Sequence, residues 1–147
     1  MDQNRFQQLP FSSGHDVLSF FRDKPVHDVL NPDNYGLVFR SPDPANYYVF
    51  QIGSQGDYIV LYYLKDSGFT FLTDFLTDSA IVPEGPNQLS VRAVGPELTF
   101  MVNGKQLTVI KDGTLSQGQV GLWVSQGDGE PREVSVVDFD NFKLTEP

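Results

Sequence analysis

The sequence predicts one all-β domain built as an antiparallel sandwich. Three observations carry that prediction. Short β-rich runs recur about every ten residues from Tyr35 onward, Gly, Pro, Asn and Asp punctuate them, and no window of helical length shows a convincing helical period. A length of 147 residues suits a single domain, residues 1–147, and is enough to bury a core without staples.

Strands are expected near Tyr35–Arg40, Tyr47–Ile52, Tyr58–Lys65, Phe69–Leu72, Gln88–Val94, Leu98–Val102, Gln106–Ile110, Gln119–Ser125 and Val134–Leu144. One helical candidate, Val17–Leu30, is interrupted by Pro25. Asn103-Gly104 between two of the runs is a hairpin signal, because a type I′ turn needs two residues at positive φ. Gly95-Pro96 joins the strand before it to give a three-strand meander, and Pro42 and Pro44 mark a stiff loop at 41–45.

Alternation assigns the faces. Leu89, Val91 and Ala93 oppose Gln88, Ser90 and Arg92, and Leu98, Phe100 and Val102 oppose Thr99 and Met101, so these strands have one dry face and one wet face. Tyr47–Ile52 and Tyr58–Leu64 are apolar or aromatic on both faces, which predicts a cover over the outer one. The segment Phe69–Leu76 is the first choice for that cover, ahead of a second subunit or a ligand.

Composition narrows the partners. Ten basic residues against nineteen acidic ones give a net charge of -9, which argues against nucleic acid or an anionic membrane. The longest apolar run, Tyr58–Leu64, is too short to insert in a bilayer as a helix. Met1–Pro10 lacks the apolar core of a secretory signal. Cysteine is absent, so disulfides, thiolate metal sites and a Cys nucleophile are excluded. Aromatic residues make up 13% of the chain, too many for an acidic disordered tail.

Tyr35-Gly-Leu-Val-Phe-Arg40, Asp43 and Asn46-Tyr-Tyr-Val-Phe50 are followed in order by Asn87–Gly95, Leu98–Gly104, Asp112, Gly118-Gln-Val-Gly-Leu122 and Val137-Asp-Phe-Asp-Asn-Phe142. This succession resembles bacterial concanavalin A-like (laminin-G-like) jelly-roll domains of the lectin and glucanase superfamily. The likeness spans about Tyr35 to Leu144, roughly three quarters of the chain. It implies a two-sheet antiparallel jelly roll and an extracytoplasmic setting. Such domains carry more strands before the first hairpin than 34 residues supply. The stretch Phe6–Leu30 is therefore expected either to give two strands or to leave a sheet edge open to a second subunit, making the chain a homo-oligomer.

Catalytic patterns are missing. Glucanases of this superfamily carry Glu-x-Asp-x-x-Glu on one strand, whereas Glu84, Glu97, Glu130, Glu133 and Glu146 fall in turns, strand ends or the tail. His15 and His27 come without a Gly-x-Ser-x-Gly elbow or zinc spacing. Two readings compete for Asp138, Asp140 and Asn141. Their hard oxygens suit Ca²⁺, and the resemblance implies a structural calcium near the terminal strands. A β-bulge at Asp140-Asn141 would equally reconcile the spacing of Phe139 and Phe142 without an ion.

Sugar recognition needs flat aromatics to meet CH groups and planar polar side chains to meet hydroxyls. Arg40, Tyr48, Gln51, Tyr62, Tyr63, Arg92 and Trp123 are the strand residues with that chemistry. Packing competes for each aromatic, and for Trp123 it is the preferred reading. Arg40 and Arg92 require an acid, an aromatic face or a ligand. The expected function is a non-catalytic binding module for carbohydrate or another extracellular polymer. The alternatives are a hydrolase acting on a sugar derivative through loop acids, and a structural domain used for self-assembly.

Overall fold

The computed structural model describes residues 8–12, 15–22, 33–83, 86–126 and 140–145, which form strands and no helix. The strands are β1 (Gln8–Ser12), β2 (His15–Arg22), β3 (Asp33–Asp43), β4 (Asn46–Gly53), β5 (Asp57–Leu64) and β6 (Gly68–Phe71). They continue with β7 (Leu76–Thr77), β8 (Asn87–Val94), β9 (Glu97–Val102), β10 (Lys105–Lys111), β11 (Gly118–Gln126) and β12 (Asp140–Thr145). The larger sheet runs β1-β11-β3-β4-β5-β6, with β7 also on β5, and the smaller runs β10-β9-β8-β2-β12. The pairings are antiparallel.

The dry faces predicted from alternation meet between the sheets. Leu89, Val91, Ala93, Leu98, Phe100 and Val102 pack against Tyr35, Leu37, Phe39, Tyr48, Phe50, Ile52, Tyr58 and Val60. Phe100 sits at the centre, edge-on to Phe50 at 5.1 Å and 6.0 Å from Phe39. Burial of each large side chain contributes about 1.5–3 kcal/mol, so this layer dominates the stability. The Asn103-Gly104 turn is as expected, with φ of 50° and 82°. Asn103 also ties the turn to the crossover from β7, donating from Nδ2 to Ala80 O and to Asn87 Oδ1.

The strands decide two open readings, and two sequence expectations need correction. The interrupted helical candidate at Val17–Leu30 is strand over Val17–Arg22, where β2 pairs with β8 along its whole length. Of the two readings of Phe6–Leu30, the described residues support the one with two strands: β1 lies on β11 and β2 is inserted between β8 and β12. The stiff loop at 41–45 is shorter than expected, since β3 continues to Asp43. There Asp43 Oδ1 accepts from Ala45 N and Asn46 Nδ2, closing the hairpin. Finally, Phe69–Leu76 does not lie over the outer face. It forms β6 and β7, which extend the larger sheet at the β5 edge.

The outer face of β4 and β5 is nevertheless closed to solvent. Val38, Tyr47, Val49, Ile59, Leu61 and Trp123 form a second buried cluster, with Tyr63 half-buried against it. At the other end of the chain, β12 shifts register on β2 between Asp140 and Lys143, the irregularity that a bulge introduces. Asp138, the side chains of Asp140 and Asn141, and residues 134–139 of the expected last strand lie outside the described residues.

Candidate functional site

The seven residues singled out for sugar chemistry go to three places. Arg40, Tyr48 and Tyr62 gather where β3 and β4 meet the chain between β10 and β11. Arg40 is buried at a φ of 49°, where the β3–β4 register shifts, and its Nη1 donates to Leu115 O at 3.4 Å. The Tyr48 hydroxyl donates to the Asp112 carboxylate and accepts from Leu115 N at 3.2 Å. Tyr62 is half-buried, edge-on to Tyr48 at 6.0 Å.

Charge behaviour follows from these contacts. Burial pushes the Tyr48 hydroxyl up to about 12, helped by its bond to Asp112. For Asp112, burial works to raise the pKa, but the Tyr48 hydroxyl and the Thr114 N–H together outweigh it and hold the carboxyl below its usual range. The group is a latch that pins residues 112–115 to β3 and β4.

Arg92 lies elsewhere. It is exposed on the outer face of the smaller sheet, beside Thr99. No described arrangement brings it towards the other six.

Gln51, Tyr63 and Trp123 share the outer face of the larger sheet. Trp123 on β11 and Gln51 on β4 both stand opposite Gly36 of β3 in register. Because Gly36 carries no side chain, the indole Nε1 reaches across it and donates to Gln51 Oε1 at 2.7 Å. A Cβ on Gly36 would fall 1.7 Å from the Phe50 carbonyl oxygen, so only glycine fits. Tyr47 tilts against Trp123 at 5.9 Å and stacks on Tyr63 at 5.4 Å, and Tyr63 meets Phe69 at 4.8 Å. Burial raises the Tyr47 hydroxyl, with a further push from Tyr63.

Two residues further along each strand, on the same face, lies a polar row that sequence reasoning missed. Ser125 pairs with Asn34, Asn34 with Gly53, and Asp57 with Thr77. Gly53 and Asp57 are the next step of the β4–β5 ladder after Ile52 and Tyr58. Where a Cβ of Gly53 would stand, Asp57 Oδ1 is 2.5 Å away and Asn34 Oδ1 is 2.8 Å away. The side-chain oxygens of two half-buried residues therefore converge in the space that a side chain at position 53 would fill. Such a pair suits a donor-rich neutral group, such as adjacent hydroxyls. Asn34 and Asp57 were overlooked because each stands one residue before an expected strand, and only the cross-strand register joins them.

Other chemistry finds little support among the described residues. Asp78 is ion-paired with Lys105 at 3.0 Å, Asp43 closes its hairpin, and Asp112 serves the latch. No group of three or more His, Asp or Glu side chains among the described residues could hold a metal ion.

The fold is a two-sheet antiparallel jelly-roll β-sandwich. The likeness to solved structures is at this level. Sheep galectin-11 in complex with glycerol superposes with a TM-score of 0.67 at 15% identity, covering 96% of each chain. The carbohydrate-binding module CBM66 from Bacillus subtilis gives 0.67 at 18% identity, over 98% of this chain and 82% of that one. CG-16, a homodimeric agglutinin from chicken liver, gives 0.62 at 9% identity, over 97% of this chain and all of that one. The sequence matches no family model and no curated protein.

Proposed function

We propose that this chain is a non-catalytic glycan-binding module of extracytoplasmic setting, and that the half-buried polar row at one end of the larger sheet's outer face holds the ligand. The observation that carries the proposal is the convergence of Asn34 Oδ1 and Asp57 Oδ1 over Gly53. Beside it, the Trp123–Gln51 bond fixes a rigid shoulder. Adjacent hydroxyls of a sugar would donate to the two oxygens. Trp123 is only 3% exposed, so it shapes the floor rather than serving as an open stacking platform. The fold shared with galectins and a carbohydrate-binding module supports this reading, as does the laminin-G-like order of the hairpins.

The test is binding to a glycan array and calorimetry on its hits, with wild type, Asp57→Ala and Arg92→Ala. Loss of a hydrogen bond to a charged group costs about 1.5–3 kcal/mol, so Asp57→Ala should weaken binding by about ten-fold or more. Arg92→Ala, on the other sheet, should bind as wild type. Wild-type affinity in Asp57→Ala would remove the proposed site, and no glycan binding by wild type would remove the function.

A further inference from the structure

We infer that the site takes an extended, neutral glycan chain rather than a single sugar, an inference that rests on the glycan-binding reading. Phe69, Phe71 and Phe75 are 46%, 60% and 64% exposed, although aromatic side chains of this size normally dominate cores. They are not scattered. Phe69 stands opposite Tyr63 and Phe71 opposite Leu61, on the outer face, and Phe75 meets Phe71 at 6.3 Å. On the same strand edge, Thr77 stands opposite Asp57, where the polar row begins.

The edge therefore runs beside β5 from Tyr63 to Asp57. At roughly 3.4 Å per residue that is about 20 Å, the reach of an oligosaccharide. Its two ends differ in chemistry. Acceptor oxygens at Asn34 and Asp57 would anchor one unit by its hydroxyls, and exposed phenyl rings would meet the CH faces of units further along. Charge selects among polymers. Asp57 sits in the row, Asp66 and Asp74 flank the phenylalanine edge, and the chain carries a net charge of -9. An acidic polysaccharide would be repelled, whereas a neutral one loses nothing.

Affinity electrophoresis in gels containing neutral polysaccharides (galactomannan, xyloglucan, β-1,3-glucan, fructan) or acidic ones (alginate, hyaluronan) tests the inference. The full chain should be retarded by at least one neutral polymer and by neither acidic one. The double variant Phe71→Ala/Phe75→Ala should lose about ten-fold in affinity for that polymer while keeping wild-type affinity for its monosaccharide. Asp57→Ala should lose both. Unchanged polymer binding by the double variant, or equal retardation by an acidic polymer, overturns the inference and leaves the glycan-binding reading standing. A wild-type dimer in sedimentation that the double variant converts to monomer would assign the edge to self-association and overturn it too. Failure of every sugar and polymer to bind defeats both readings together.

Discussion

At the scale of single residues, the Tyr48–Asp112 latch is the clearest place where environment sets chemistry. Asp112 is held below its ordinary pKa when folded, so the unfolded chain takes up a proton first as pH falls. Its contribution is full above the ordinary carboxylate pKa and is lost as pH falls through the lower folded value. Tyr48 is the reverse case. Its folded value of about 12 lies above the ordinary 10.0, so its contribution is full below the ordinary value and fades as pH climbs from there to about 12. Tyr48→Phe should cost about 1–3 kcal/mol in urea unfolding, because it leaves the Asp112 carboxylate and the Leu115 N–H short of a partner. It should also flatten both limbs of the stability profile. Stability and pH dependence equal to wild type would show that the latch carries no weight. Tyr48 was picked out in the sequence as an aromatic of a binding face, yet the residue that claims its hydroxyl is Asp112, distant in sequence and visible only after folding.

At the scale of elements, the sandwich was most legible where local signals agreed. In β8 and β9 the alternation of apolar and polar residues assigns one dry face, and the structure keeps it; the Asn103-Gly104 turn leads into β10, whose pairing shifts register between Gln106 and Thr108. Legibility failed where one element depends on another. The face of β4 and β5 that needed a cover was recognised, but the candidate cover turned out to be two short edge strands. Gly36 reads as an ordinary strand glycine until β11 and β4 are set on either side of it. Gly36→Ala should then destabilise by about 3 kcal/mol, since the added carbon has backbone rather than a yielding side chain in its way. A thermal melt checks this, and an unaltered midpoint would mean that the close approach at Gly36 imposes no constraint.

At the scale of the whole molecule, chain order and spatial order diverge. β1 closes the larger sheet against β11, and β2 stands between β8 and β12 in the smaller one. The least legible stretch of the sequence thus supplies an interior strand. Its pairing partners are distant in the chain, so no local pattern announces them, and contacts of this kind make β-sandwich folding slow. Deleting residues 1–22 removes β1 and β2, and should abolish the cooperative urea transition rather than trim an edge. A truncated chain that still unfolds in one sharp step, followed by circular dichroism, would show that β8 and β12 can close without β2.

Trp123 has an optical consequence. It is the sole tryptophan of the chain, and it is buried on the proposed binding face with its indole N–H bonded to Gln51. Fluorescence excited in the tryptophan band therefore comes from one ring at one address, two residues from Ser125 and across Gly36 from Gln51. The molecule carries its own indicator, which reports on the outer face of the larger sheet and needs no label attached to the surface that a ligand would touch.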